Sequence, residues 1–411
     1  MNAPQTDALR PYAERYAELG TGPLPIAPVT DPAYFERERE AIFRRVWLNL
    51  GRGDEIPHPG DYMVKPVEVW NASILLVRGD DGRVRAFHNV CRHRGNQVAE
   101  GCGNARGFSC GFHGWTYDTA GRLVNVPDGE QFFGLEVEQL GLVALPCETW
   151  SGFVFVHAMA EPPQGLAEFL APLSQQLEGY PFAEMRCMHR VEAEVNCNWK
   201  VFIDAFQESY HAAFVHRLSA AAAGNSDDDP YAHLMSVRLL GPHRSASVPF
   251  NPNYAPTSAE GLSFKYAQSI WLHDGSTQAA ATPGCNPEGH NHWLFDINVV
   301  FPNFFVDVSS GWYLTYHFWP IAVDRTRWEY RFHMLPPQDA GEQISREYSK
   351  IYLRDLLRED LSTVERTQAG LSSGAIREMH LSDQEVAVRH GYHMVEEYLR
   401  RHEQGAPQPG A

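Results

Sequence analysis

Apolar positions between about residues 48 and 158 come in short runs of four to eight, the pattern of strands and not of helices. DYMVKPVEVW, SILLVRG and VRAFHNV are rich in β-branched and aromatic residues, and DDGR between the second and third predicts a hairpin turning at Asp81-Gly82. LVNVP, GLVALPCETW and GFVFVHA continue this character, so a small all-β module is expected over 48–158. Ahead of it, residues 1–29 have the Ala, Pro and Gly content of a surface arm. Thr30 is then expected to cap a helix carrying Phe35, Ala41, Ile42 and Val46. That arm and helix, 1–47, are expected to pack on the second domain.

The second domain, 159–411, mixes both periods. LAEFLAPLSQQLEGY predicts a helix and RCMHRVEAEVNCNWKV a strand, while NWKVFIDAFQESYHAAFVH, with no glycine or proline, is helical by composition. Residues 217–290 are loop-heavy, and AAAAGNSDDDP has the composition of a mobile segment able to cover a pocket. HWLFDINVVFPNFFVDV, GWYLTYHFWPIAV and TRWEYRFHM predict an antiparallel sheet, and helices over about 341–370 and 383–402 close the chain. The expected fold class is α+β, an all-β module followed by an antiparallel sheet covered by helices, with no internal repeat.

With 411 residues the chain can bury a substantial core in two or three domains. Its 34 Lys and Arg against 51 Asp and Glu leave a net charge of -17, which argues against nucleic acid or an anionic membrane as partner. Seven scattered cysteines fit a reducing cytoplasm better than a disulfide framework. The N-terminal residues lack a basic segment followed by an apolar core, and no apolar run reaches about 18 residues, so a cytoplasmic protein is expected.

The chemistry concentrates in CRHRGNQVAEGCGNARGFSCGFH, which gives Cys91-x-His93, sixteen residues, then Cys110-x-x-His113. Two thiolates and two imidazoles on two loops are the ligand set of a Rieske 2Fe-2S centre, in which one iron takes both cysteines and the other both histidines. Neutral imidazoles in place of thiolates reduce the negative charge on such a cluster and raise its reduction potential, suiting it to one-electron relay. A Cys2His2 zinc site is the alternative; zinc fingers usually pair like with like, whereas both short pairs here are mixed.

A relay needs a destination, and Glu208-x-x-His211-x-x-x-x-His216 supplies candidate ligands to a mononuclear iron. Two histidines and a carboxylate on one face of Fe(II) leave positions open for dioxygen and water. On an ideal helix His211 and His216 would point about 140° apart, so the helix must distort or end before His216. From spacing alone, Glu208 and Asp204 both stand as carboxylates.

CRHRGNQVAEGC followed by CGFHGWTYDTAGRL resembles the cluster-binding segment of the Rieske non-haem iron ring-hydroxylating oxygenases, large (alpha) subunit. Respiratory Rieske proteins match less well, because each of their ligand loops carries an extra cysteine; here Asn96 follows Gly95, and Cys102 has no counterpart in the second loop. The resemblance implies that Trp115 shields the cluster. It also implies that Glu208 bridges a cluster histidine of one subunit, His113, to the iron ligand His211 of the next, within a homotrimer alone or with a beta subunit. Most relatives have Asp at the bridging position; Glu occurs in a subset that includes quaternary-ammonium monooxygenases. LREDLSTVERTQAGL resembles the segment in which an Asp followed five residues later by Glu and eight later by Gln gives the third iron ligand, here Asp360, with Glu359 and Asp355 as near rivals.

The implied function is a terminal oxygenase: a ferredoxin or flavin reductase, fed by NADH or NADPH, reduces the cluster, and O2 is activated at Fe(II) to hydroxylate an apolar or aromatic small molecule. No GxGxxG follows a strand, so the nicotinamide cofactor is expected only on the partner. Oxidative dealkylation of a quaternary ammonium compound is the competing enzyme reading. An electron-transfer protein without oxygenase chemistry is the competing class, though it would leave everything after residue 158 without a purpose. Phe202, Phe206, Tyr210 and Phe214 crowd the iron segment and Trp293, Phe295, Phe301, Phe304, Phe305 and Trp319 the later strands, much of them as core. Cys285, His290 and His292 are read as loop polarity, Cys147, Cys187 and Cys197 as small buried hydrophobes, and Asn198 and Trp199 as packing.

Overall fold

The computed structural model describes residues 12–217, 219, 221–266, 282–406 and 408, and its chain divides into two compact units, residues 39–169 and residues 1–38 with 170–410. The helix entering the first boundary, Pro32–Glu38, is preceded by Asp31, whose carboxylate accepts the Ala33 N–H at 2.8 Å. Thr30 is the last residue of a short helix, Ala27–Thr30, so the expected cap is displaced by one residue. The stretch taken as an arm is tied down where it is described: Leu24–Pro25 pairs antiparallel with Glu378–Met379, and the Tyr12 and Ala13 N–H groups donate to Asp383. Residues 1–11 lie outside the described chain.

The unit 39–169 is built from three small antiparallel sheets. The largest runs in the order Ala144–Leu145, Val84–His88, Ala72–Arg78, Asp61–Val67, Cys102–Asn104. The hairpin turns where DDGR predicts, with Gly82 at φ 76°. The first cluster loop leaves the strand Val84–His88, and the second joins Gly107–Ser109 to Thr116–Asp118. Leu75, Phe87, Phe108, Tyr117 and Leu123 form one buried cluster with Cys91 and Cys110, so the sulfurs are held in the apolar core of the unit.

The other unit centres on a seven-stranded antiparallel sheet in the order Arg186–Val195, Arg325–Met334, Trp312–Ala322, Phe304–Ser309, Trp293–Val300, His243–Pro249, Ser236–Leu240. Every residue of Phe304–Ser309 is buried; with both faces covered, its sequence is apolar on both sides apart from Asp307 and Ser309, without an alternation. Two of these strands, Ser236–Leu240 and His243–Pro249, and a helix, Ser258–Tyr266, fall within the stretch expected to be loop, because their short Ser- and Arg-containing runs carry little apolar pattern. Residues 218, 220 and 267–281 of that stretch lie outside the described chain. The predicted helix 166–180 is two short ones, Leu166–Leu170 and Leu173–Gln176, parted where Pro172 has no N–H to donate.

A helix of 33 residues, Ala340–Ser372, crosses the unit, capped by Asp339 accepting the Glu342 N–H at 2.8 Å. Its buried stripe runs Leu353, Leu357, Asp360, Val364, Gln368, Leu371, the spacing of one helical face. Asp360 therefore occupies a position where the pattern asks for an aliphatic side chain. No helix among the described residues is long and apolar enough to cross a membrane.

Candidate functional site

Both cluster loops close in the same way. The Gly95 N–H donates to the Cys91 carbonyl at 3.0 Å and the Gly114 N–H to the Cys110 carbonyl at 2.9 Å, with the glycines at φ 83° and 74°. Each loop thus turns in the left-handed region four residues after its cysteine, where a side chain costs about 1–2 kcal/mol. The Tyr117 hydroxyl lies 3.4 Å from Cys91 Sγ, and the Asn96 amide donates to Cys110 Sγ at 3.6 Å. Burial pushes the Cys110 thiol up, but the Phe112 N–H, the Asn96 amide and the His113 N–H outweigh it and the thiol sits below its ordinary range. The rings of His93 and His113 lie 4.6 Å apart, and Trp115, buried, stacks on His93 at 5.1 Å. His93 Nδ1 is buried with no hydrogen-bond partner, a donor atom awaiting an acceptor of its lone pair. Buried sulfurs with N–H groups on one of them, and imidazoles beside them with an orphaned nitrogen, are a set that fits a 2Fe-2S cluster.

The second group forms where a helix fails. The run 198–216 is not one helix: Trp199–Asp204 stops, residues 205–211 are irregular, and a single turn, Ala212–Val215, follows. With neither glycine nor proline to mark it, the break is made by side chains. Gln207 accepts from Arg244 Nε, Ser209 donates to the Ala232 carbonyl at 2.6 Å, and Glu208 accepts the His211 N–H at 3.1 Å. His211 and His216 flank that turn, which brings their Nε2 atoms to 3.3 Å.

From the long helix, Asp360 Oδ1 comes within 3.1 Å of His216 Nε2 and 3.6 Å of His211 Nε2. Ligands at right angles on metal bonds of about 2.1 Å lie about 3.0 Å from one another, so these separations fit one ion. Among the described residues, His211, His216 and Asp360 are the group with metal-holding geometry. The other ring nitrogens are engaged. His211 Nδ1 lies 2.6 Å from Glu208 Oε1 and His216 Nδ1 2.9 Å from Glu359 Oε2, so each carboxylate fixes the tautomer that leaves Nε2 with its lone pair free. Ser219 donates to the same Glu359 oxygen at 2.6 Å and itself accepts from Tyr352 at 2.8 Å. Burial opposes charge on His211 and His216, yet these carboxylates leave both imidazoles raised, as expected of a pocket that favours positive charge.

The rivals separate cleanly. Glu359 supports His216 from outside, and Asp355 pairs with Arg354 at 2.7 Å. Asp204 faces Tyr392, whose hydroxyl donates to it at 2.9 Å, and burial pushes its carboxyl up to about 7. Asn198 does more than pack: it caps Trp199–Asp204 through the Lys200 N–H at 3.0 Å, and its own N–H donates to Gln368 at 2.9 Å, while Glu365 accepts the Asn196 N–H at 2.9 Å. The Glu and Gln that follow Asp360 therefore fix the register of the long helix against the segment leading to His211. Cys285, His290 and His292 form no metal-holding group, and His290 instead lies 3.4 Å from Glu288. Cys197 is buried as expected, but Cys147 is only partly so and Cys187 is exposed on an edge strand.

Beside Asp360 a cavity of about 140 Å³ reaches Phe206, Phe295, Ile297, Leu357 and Tyr316. Ala223, Gly224 and Asn225, from the segment expected to cover a pocket, line it as well. Asp307 is also on its wall, a residue that nothing in the sequence marks out except an acid within the apolar run FFVDV.

Residues 182–401 match the ring-hydroxylating alpha subunit catalytic domain and residues 46–144 the Rieske [2Fe-2S] domain. The carnitine monooxygenase oxygenase subunit of Acinetobacter pittii (strain PHEA-2) is 27% identical over 356 residues, covering 85% of each chain. The biphenyl 2,3-dioxygenase alpha subunit of Rhodococcus jostii (strain RHA1) is 36% identical over 222 residues, 50% of this chain and 46% of that one. In fold, a crystal structure of a quaternary ammonium Rieske monooxygenase superposes with TM-score 0.74 at 21% identity, covering 93% of this chain and 97% of that one. Naphthalene 1,2-dioxygenase from Rhodococcus sp. superposes with TM-score 0.73 at 20% identity, covering 96% and 98%.

Proposed function

The chain belongs to the Rieske-domain ring-hydroxylating oxygenase alpha subunits, and from that premise we propose that it hydroxylates an apolar or aromatic small molecule in the cavity beside Asp360. The observation that carries this reading is the convergence of His211, His216 and Asp360 on the wall of an apolar cavity. Cys91, Cys110, His93 and His113 would hold the cluster, and His211, His216 and Asp360 the iron. When bound, the cluster supplies one-electron relay and the iron a site at which dioxygen is activated.

The residues of the chain do the rest. Glu208 and Glu359 hold protons at the Nδ1 atoms of His211 and His216, so both imidazoles offer Nε2 in a fixed orientation. Phe206, Phe295, Ile297 and Leu357 exclude water from the space where the substrate lies. Electrons would come from a ferredoxin or flavin reductase drawing on NADH or NADPH. Phe112, beside His113, and Tyr210 and Phe214, flanking His211, are large apolar side chains exposed on a single chain. This supports a homotrimer in which His113 of one subunit meets Glu208 of the next.

A second reading, oxidative dealkylation of a quaternary ammonium compound, is favoured by Glu208 at the bridging position and by the aromatic side chains of the cavity, which suit a cation. Oxygen uptake with a surrogate reductase tests both. Aromatic, steroid-like and quaternary-ammonium compounds are offered in turn, and stimulation by one class, with product formed, is expected. No coupled uptake with any class, from protein whose cluster is reduced by the partner, would overturn the oxygenase reading.

A further inference from the structure

Among the described residues, the fully buried carboxylates of the catalytic unit are satisfied with one exception. Asp296 accepts from Ser247 at 2.7 Å, from the Trp293 indole at 2.7 Å and from the Asn286 N–H at 2.7 Å. Asp204 has Tyr392 and Gln207, and Glu38 has Trp199 and Lys200. Asp307 is different. Only 4% exposed, it takes the Asn298 backbone N–H on its carboxylate, but its Oδ1 has no partner. It lies on the cavity wall among Phe206, Phe295, Ile297 and Tyr316. An unpaired buried carboxylate oxygen costs about 1–3 kcal/mol, so a polar group left this way in an apolar pocket calls for a ligand.

Taking the oxygenase reading as given, we propose that Asp307 is a specificity-determining residue that accepts a hydrogen bond from an N–H of a protonated amine on the substrate, whose apolar body fills the cavity toward His211, His216 and Asp360. Rotation about the Cβ–Cγ bond, soft for a carboxylate, presents either oxygen to the cavity. Burial holds the Asp307 carboxyl well above its ordinary range, so an arriving ammonium displaces a proton from it and leaves an ion pair in the apolar wall. A site built around an unpaired acceptor rejects the analogue that lacks the donor far more strongly than a greasy pocket rejects a missing methylene. A fully methylated ammonium offers charge without a donor, so this inference separates N–H amines from quaternary ones.

The test is binding of three probes to the holoenzyme without reductase, read by calorimetry: benzylamine, benzyltrimethylammonium and ethylbenzene, the carbon isostere of benzylamine. Benzylamine is expected to bind at least about tenfold tighter than either of the others, and to release a proton, seen as a heat that changes with the buffer's ionisation enthalpy. Asp307→Asn should abolish that preference and the proton release while changing ethylbenzene affinity less than about threefold. If the Asn variant does not fold, Asp307→Ser is read in the same way, and the ranking on the wild-type protein decides by itself. Equal binding of benzylamine and ethylbenzene, or a preference that survives in the variant, overturns the proposal. A wild-type protein that binds quaternary ammonium as well as amine overturns it too. Because binding is measured without turnover, a protein that ranks the probes as expected but shows no coupled oxygen uptake contradicts the oxygenase reading and not this one. Coupled uptake with ethylbenzene and no amine preference does the reverse.

Discussion

The two candidate metal centres are assembled in opposite ways. The candidate cluster loops gather all four candidate donors between residues 91 and 113, on two turns that repeat one device, a glycine four residues after the cysteine whose N–H closes on the cysteine carbonyl. The candidate iron site would take two donors from a broken helix and the third from a long helix far along the chain. In the first, backbone geometry does the positioning and the sulfurs sit in core. In the second, side chains do it: Glu208 and Glu359 orient the imidazoles, and Glu365 and Gln368 register Asp360 against them. A centre carried by local turns tolerates change everywhere except in its ligands and glycines, whereas one carried by side chains depends on residues that touch no metal.

The largest expected effect comes from the residue assigned to join the two centres. Glu208→Gln should keep the cluster spectrum and the full iron content yet lose most substrate-coupled oxidation of the reduced cluster, followed by stopped-flow absorbance. Loss of one iron from the variant would instead make Glu208 a ligand. Glu359→Gln sharpens the contrast, since it leaves the three donors intact and removes only the orientation of His216. Iron affinity at that site should fall about 10–100-fold in a competition titration, with activity at saturating iron retained.

Smaller effects test the local device. Gly114→Ala places a side chain at φ 74° with its Cβ 3.1 Å from Pro127, and should cost about 1–2 kcal/mol in denaturant unfolding of the unit that carries it. Gly111→Ala, in the same loop, meets nothing within 4 Å and should be close to neutral. A smaller effect than that of Gly114→Ala concerns pH. Burial, with Arg244 nearby, pushes His390 down to about 3. The unfolded chain therefore takes up a proton below about pH 6.5 that the folded chain refuses, and stability falls as pH falls from there toward 3. His390→Gln should flatten that slope, by about 1 kcal/mol at one pH unit below the unfolded value.

Legibility followed the same division. Strand periods, the Asp81-Gly82 hairpin and the four candidate cluster donors could be read directly, because each is set by neighbours in sequence. The pair His211 and His216 was visible by spacing, and the need for a distortion followed from their angular separation. Its cause was not, since Gln207, Ser209 and Glu208 break the helix through partners elsewhere in the chain. Asp360 rested on resemblance, although the apolar stripe of its helix carried a physical sign, an acid where Leu357 and Val364 call for another aliphatic. The strands Ser236–Leu240 and His243–Pro249 were missed because their short Ser- and Arg-containing runs carry little apolar pattern, and Asp307 was missed because a single acid in an apolar strand carries no spacing that marks a site.

The most direct test of two separate centres in one chain is iron and acid-labile sulfide measured on the wild-type protein beside Cys110→Ala and Asp360→Ala. About three irons and two sulfides per chain are expected for the wild type, from a two-iron cluster and one further ion. About two irons and two sulfides are expected for Asp360→Ala, and about one iron with no sulfide for Cys110→Ala. Two irons in a wild-type protein that is still active with its partner, or full iron in Asp360→Ala, would contradict the account.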